Sequence, residues 1–314
     1  MTAQLTIGLP TYAASAPPSW QFVLDAAVAA DRAGVDRLTA SDHVVFGERL
    51  EEYAKPQLGG VRGGTQPTGP DGHWLDPFTT LAMVAGLTRR VRLRTNILIA
   101  ALRRPVVLAK SAATLDVLTG GRLDLGVGVG WQREEYLAAG LDFHRRGRLL
   151  DHTLEVCQTL WTQTRASYDA AELSFDAIHQ MPKPTREGGV PVWVSGTLNP
   201  AVVERLGRFG TGWIRWGDDA ADPNGPDRMK EALAAAGHER PDLKVTGILR
   251  AVLDDTDRLD VDATVAAVPA LVESGVTDVG IHLRLPEHQA AAEEVLRPLV
   301  TAFRLAAGRS PVAS

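Results

Sequence analysis

Two hydrophobic periods alternate along the chain. Runs with apolar residues at every second position predict strands at LTIGLPTY (5–12), VDRLTASDHV (35–44), VRLRTNILIA (91–100), LDLGVGVGW (123–131), PVWVSG (191–196), GWIRWG (212–217), LKVTGILRAVL (243–253) and TDVGIHLRL (277–285). Each is followed by a segment whose apolar residues recur every three to four positions, the helical period. Gly34 stops the first helix, Asp76 caps the second with Pro77 in its first turn, and Pro105 opens the third before Gly120 and Gly121 close it. The fourth runs from about Arg148, and Pro269 interrupts the seventh. Eight strand–helix units predict an α/β chain folded as a (β/α)8 (TIM) barrel over residues 1–314; a doubly wound open sheet is the alternative and would normally have fewer units.

Two stretches break the rhythm, as insertions after strands two and four. Gly47 to Trp74 is polar, rich in glycine and proline, and almost without apolar periodicity; a loop of that length in a compact domain points to a lid. Ser174 to Pro184 mixes polar and aromatic residues and predicts a hairpin on the outside. Within strand four, Gly126, Gly128 and Gly130 fall on one face, and Val127 and Val129 on the other. That face is bare backbone, against which something flat or bulky can lie; a bulge or barrel kink is the plainer alternative. The run is not a dinucleotide fingerprint, because Trp131 stands where a further glycine is needed.

Composition narrows the partners. The 314 residues are 45% hydrophobic and 23% charged, ample for a large core, and the net charge is −5 with no basic block. Nucleic acid and anionic membrane surfaces are therefore not expected, and a small-molecule substrate is. The N-terminus has no basic segment leading into an apolar core, and no apolar run reaches a membrane span, so a cytoplasmic location is expected. Cys157, the one cysteine, lies at helical spacing with Leu154 and Trp161 and reads as a small buried apolar residue. His144, His152, His238 and His288 fall on or beside helices and read as surface residues.

Barrel chemistry sits at the C-terminal ends of the strands. Those positions hold Tyr12, Asp42 and His43, Asn96 to Ile99, Gly128 to Trp131, Ser195 to Thr197, Trp216, Arg250 and His282. No lysine stands there for a Schiff base, too few ligands converge for a metal site, and neither Ser41 nor Ser195 lies in a nucleophile elbow. What remains is glycine backbone, amides, aromatic rings and one prominent histidine, a lining suited to a planar cofactor that performs the chemistry itself. His43 is placed to move a proton at the mouth, or to hold the loop that follows it. Asp42 orients a neighbour or caps that loop, and SGTLNP (195–200) offers backbone N–H groups ahead of a helix, a cradle for phosphate.

Together SDHVVF (41–46), TNILIAALRRPVVLAKSAATLDVLTGGRLDLGVGVGWQREEY (95–136), RGRLLDHTLE (146–155), PVWVSG and GRFGTGW (207–213) resemble the luciferase-like monooxygenase family, and within it the branch using the 5-deazaflavin coenzyme F420. The resemblance implies a (β/α)8 barrel with the cofactor at its C-terminal mouth. It implies a cis peptide at Asn96-Ile97 behind the ring, backbone approach at Val129 and Gly130, and further cofactor contacts at Asp42, Ile99 and Glu134. Gly196, Thr197 and Leu198 match the loop for the cofactor phosphate, and His43 matches the proton-handling histidine. Tyr12, Trp131 and Trp216 are then substrate-pocket candidates. The acidic GDDAAD (217–222) stands where the sugar-phosphate dehydrogenase branch has a phosphate-binding lysine, which implies a non-phosphorylated organic substrate. The implied activity is F420-dependent hydride transfer. An FMN-dependent monooxygenase and a non-catalytic flavin-binding barrel are the alternatives, and a homodimer is the implied assembly.

Overall fold

The computed structural model describes residues 2–310. Among them, eight parallel strands close a barrel: β1 (Gln4–Gly8), β2 (Arg37–Ala40), β3 (Arg92–Thr95), β4 (Leu123–Val127), β5 (Val192–Gly196), β6 (Gly210–Arg215), β7 (Lys244–Leu249) and β8 (Asp278–Ile281). They neighbour one another in chain order and β8 pairs with β1, as a TIM barrel requires. The strands are shorter than the apolar runs, because those runs continue into the turns at the barrel mouth.

The helices between them are α1 (Gln21–Ala33), α2 (Pro77–Leu87), α3 (Pro105–Leu118), α4 (Arg133–Ala138), α5 (Arg146–Thr162), α6 (Pro200–Phe209), α7 (Gly225–Ala235), α8 (Val261–Val265), α9 (Val268–Glu273) and α10 (Gln289–Ala306). Asp76 caps α2 by accepting from Thr79 N at 2.8 Å, and Gly34 ends α1 at φ 89°. The seventh helical segment splits into α8 and α9 beside Pro269.

Tyr12 does not end a barrel strand. Pro10 interrupts the first run, and Tyr12–Ala13 pairs antiparallel with His73–Trp74 in a separate two-stranded sheet. Residues 47–74 are not wholly structureless, since they carry two short 3-10 turns, Leu50–Ala54 and Pro56–Leu58. The outer hairpin lies earlier than the 174–184 stretch predicts, as Ala166–Asp169 paired with Ser174–Ile178, so that only its second strand falls in that stretch. Its Tyr168 hydroxyl lies 3.1 Å from His152 Nδ1, which makes His152 a buried residue rather than a surface one. Cys157 is buried, and burial pushes its thiol pKa up.

The N-terminal half of the barrel is plugged by charge. From β2, Arg37 reaches Asp124 Oδ2 on β4 at 3.0 Å and pairs with Asp278 at the start of β8. Asp278 also accepts from Arg94 of β3 at 3.2 Å and from Thr6 of β1 at 3.0 Å, while Arg92 holds the other oxygen of Asp124 at 2.6 Å. Arg37 and Arg94 stack over the Trp193 ring. Burial pushes the Asp124 carboxyl up, but Arg37, Arg92 and Arg94 outweigh it and hold its pKa below the usual aspartate value.

Removing one member of such a network strands the others without water. Asp278→Ala is expected to lower unfolding free energy by about 3–5 kcal/mol, measured by urea denaturation at pH 7. Because the folded-state pKa of Asp124 lies below its unfolded one, its contribution is present above the unfolded value, about 3.9, and is lost as pH falls through the folded value. Urea midpoints for the wild type are therefore expected to fall on acidification below about pH 4, and less steeply for Asp124→Asn.

Candidate active site

The face of β4 that carries no side chains is filled by the chain itself. A Cβ on Gly126 would lie 2.0 Å from Thr95 O, one on Gly128 2.7 Å from Ile97 Cδ1, and one on Gly130, at φ 67°, 3.1 Å from Ile99 Cδ1. The occupant is the turn after β3, whose Asn96-Ile97 peptide is cis. The glycines thus set the position of this turn.

Asp42 locks the same turn from the other side. Its carboxylate accepts from Ile99 N at 2.9 Å and pairs with Arg103, which reaches its Oδ1 at 2.8 Å and Asp76 at 3.2 Å. Asp42 and Ile99 are both buried, so Asp42 acts on the site through backbone placement.

His43 follows on the mouth side. Its Nδ1 lies 3.3 Å from Glu135 Oε1, and its Nε2 3.2 Å from the Gln66 side-chain amide nitrogen. A carboxylate only accepts and an amide nitrogen only donates, so this pairing assigns the proton to Nδ1 and the lone pair to Nε2. Glu135 is itself held by Val44 N at 2.8 Å and is buried, with Oε2 lacking a partner. Phe46, Trp74 and Trp131 surround the imidazole at 4.4, 4.8 and 6.0 Å between ring centroids.

Sequence reasoning named Glu134 and missed Glu135. Glu134 faces the 47–74 segment and pairs with Arg49 at 2.5 Å. Burial raises its pKa, but Arg49 outweighs this and holds it down. Glu135 lies in α4 one residue before the buried Tyr136, and a single carboxylate beside Glu134 gave no local signal of its distant partner. Gln132, also missed, is buried and bridges Val45 O and Gly47 N, at 3.0 and 3.1 Å with its amide turned to suit them.

The 47–74 segment rests on the remaining predicted residues. Trp216 donates its indole N–H to Gly59 O at 2.9 Å, and Tyr53 lies 5.4 Å from the Trp131 ring, edge to face. Gly59, at φ 100°, leaves room for Gly130 O where a Cβ would come within 3.0 Å. Tyr12 stacks on Trp74 at 4.3 Å, and Trp74 in turn meets His43 edge to face. Val129 O is held by the Tyr136 hydroxyl at 2.6 Å. In the loop after β5, Gly196 adopts φ 153°, Thr197 contacts the turn after β6, and Leu198 N donates to Asp219 Oδ2 at 2.6 Å. Asn199 caps α6 through Ala201 N and Val202 N.

A planar heterocycle suits what is left. On the barrel interior, Gly8 and Gly280 present no side chain, His282 stands exposed beside Gly8, and Ile248 of β7 is 55% exposed although it lies within a strand. Asn96 Oδ1 and Trp131 Nε1 are buried without hydrogen-bond partners, polar atoms of the kind a ring edge satisfies. The ring end therefore fits a flavin or deazaflavin; the phosphate end has the backbone shape of a cradle, with one N–H taken by Asp219.

Comparison with known proteins places this geometry. An uncharacterised protein of Mycobacterium bovis is 34% identical over 165 residues, 52% of this chain and 58% of that one, so the chain spans just over half the length of that relative. The F420-dependent glucose-6-phosphate dehydrogenase of Nocardia farcinica is 30% identical over 199 residues, 61% of this chain and 52% of that one. The structure of an F420-dependent secondary alcohol dehydrogenase, solved with an F420-acetone adduct, superposes with a TM-score of 0.68 at 16% identity, covering 97% of this chain and 100% of that one, and shows the shared barrel. The sequence model of the luciferase-like monooxygenases matches residues 3–298, and the chain belongs to that family.

Proposed function

We propose that the chain is an F420-dependent oxidoreductase acting on a small, non-phosphorylated organic substrate. The observation that carries this reading is His43, held in one tautomer by the buried Glu135 at a barrel mouth lined by glycine backbone, an amide and aromatic rings. When bound, the deazaflavin supplies hydride transfer at C5. The chain's own residues do the rest. His43 Nε2, once Gln66 yields it, accepts or returns the proton on a substrate oxygen, and Glu135 fixes the ring by holding Nδ1–H. Trp131, Trp74, Phe46 and Tyr53 exclude water around it, and Asp42 with Arg103 holds the turn behind the cofactor. Ile99, Asn96, Ile97, Val129, Gly130 and Glu134 border the ring, and Gly196 to Leu198 take its phosphate. Residues 47–74 act as the lid, seated by Arg49, Gly59 and Gln66. Asp218, Asp219 and Asp222 at the end of β6 disfavour a phosphorylated substrate by charge.

F420 at about 100 times its dissociation constant is expected to add about 2.7 kcal/mol of stability and to slow tryptic cleavage at Arg49 and Arg62. No thermal shift with F420 would remove the cofactor assignment, and equal cleavage rates would remove the lid. His43→Ala is expected to lower kcat about 10²-fold or more with little change in F420 affinity. Glu135→Gln keeps an acceptor for Val44 N but loses the charge against imidazole; about a tenfold loss in kcat is expected, with KM and unfolding midpoint nearly unchanged. Unchanged kcat in both variants would take the pair out of the mechanism.

A further inference from the structure

The cradle after β5 already holds an oxygen anion, and it is the chain's own. Leu198 N donates to Asp219 Oδ2 at 2.6 Å, the contact a ligand phosphate would make with the same N–H. The carboxylate is not there by loose chance. Asp219 sits in the 3-10 turn Gly217–Ala220, which starts from Gly217 at φ 59°, and that turn is pressed on the loop closely enough that a Cβ on Gly217 would lie 3.2 Å from Thr197 Cγ2. Its charge is offset only in part, by Arg228 and by the field of Arg215, whose guanidinium is hydrogen-bonded to Thr246 O and Asp222 O. Arg228 stands 3.9 Å from Asp219 and gives its 2.6 Å contact to Asp222, while Arg62 meets the neighbouring Asp218 at 3.5 Å on the exposed rim.

A negative charge in that place acts differently on different phosphates. The phosphodiester of F420 carries one negative charge on its linking phosphorus, whereas the phosphomonoester of FMN carries close to two at pH 7. Repulsion scales with the product of charges, and at about 5 Å in a water-like medium each unit is worth about fourfold in a binding constant. We propose that Asp219 is a specificity-determining residue that makes the Gly196–Leu198 loop accept a singly charged phosphodiester and disfavour a doubly charged phosphomonoester. The inference rests on the reading of this loop as the phosphate site of an F420 enzyme, and gives that reading a physical basis for choosing F420 over FMN.

Asp219→Asn separates charge from shape, because the amide oxygen still accepts from Leu198 N and the turn keeps its anchor. Dissociation constants for F420 and FMN are measured by cofactor fluorescence at low ionic strength, for the wild type, Asp219→Asn and the rim control Asp218→Asn. Asp219→Asn is expected to tighten FMN about tenfold or more and F420 about three- to fourfold, so that the preference for F420 shrinks; high salt should flatten the difference. Asp218→Asn is expected to move both by less than about twofold. An unchanged F420-to-FMN ratio in Asp219→Asn overturns the proposal, as does an equal change in Asp218→Asn, which would make the acidic rim as a whole responsible. If wild-type protein binds F420 and only the ratio fails to move, the cofactor reading stands; if neither form binds F420, both fall together.

Discussion

Thr95 O passes through the space that a side chain on residue 126 would need, and the arrangement of the mouth follows from that one close approach. With no Cβ on Gly126, Gly128 or Gly130, the turn after β3 folds inward, and Ile97 and Ile99 fill the groove over β4. Ile99 N is then presented to Asp42, Asp42 draws in Arg103, and the backbone leading from β2 to His43 is fixed relative to β3 and β4. The histidine on which the proposed chemistry turns is thus positioned by missing methyl groups on another strand.

That chain of contacts divides the barrel into two ends with different physics. The N-terminal half holds a network of buried ions, Arg37, Arg94, Asp124 and Asp278, tied together across the strands by ion pairs and by the Trp193 face. At the mouth, Asn96 Oδ1, Trp131 Nε1 and Glu135 Oε2 are buried without hydrogen-bond partners among the described residues, as Arg94 Nε and Trp193 Nε1 are within the ionic network. Buried polar groups are costly unless paired, and those at the mouth, where Ile248 and His282 are exposed, are the ones within reach of a ligand.

Much of this was legible in the sequence because it depends on local period. The eight strand–helix units, the Asp76 cap, the break beside Pro269 and the presence of an outer hairpin all follow from spacing and from the chemistry of glycine and proline. The alternating glycines announced a close approach, but alternation names no partner, and the occupant proved to be the adjacent turn. Tyr12 was placed on a strand because an apolar run does not show where pairing stops. Long-range polar pairs left the weakest trace. Glu135 meets His43 from 92 positions away, Asp219 meets Leu198 across a whole strand–helix unit, and the Arg37 network draws on five strands. Nothing in a single charged residue tells which distant backbone will face it.

Cys157, buried in α5 with its thiol pKa pushed up by burial, is the chain's one sulfhydryl and is shielded from solvent reagents. The protein is consequently a clean background for thiol-specific labels. A cysteine placed at the exposed Gln57, in the segment that crosses the mouth, would carry a spin label or fluorophore alone. Whether that segment moves could then be followed on the unmodified remainder of the chain, without a cysteine-free version being made first.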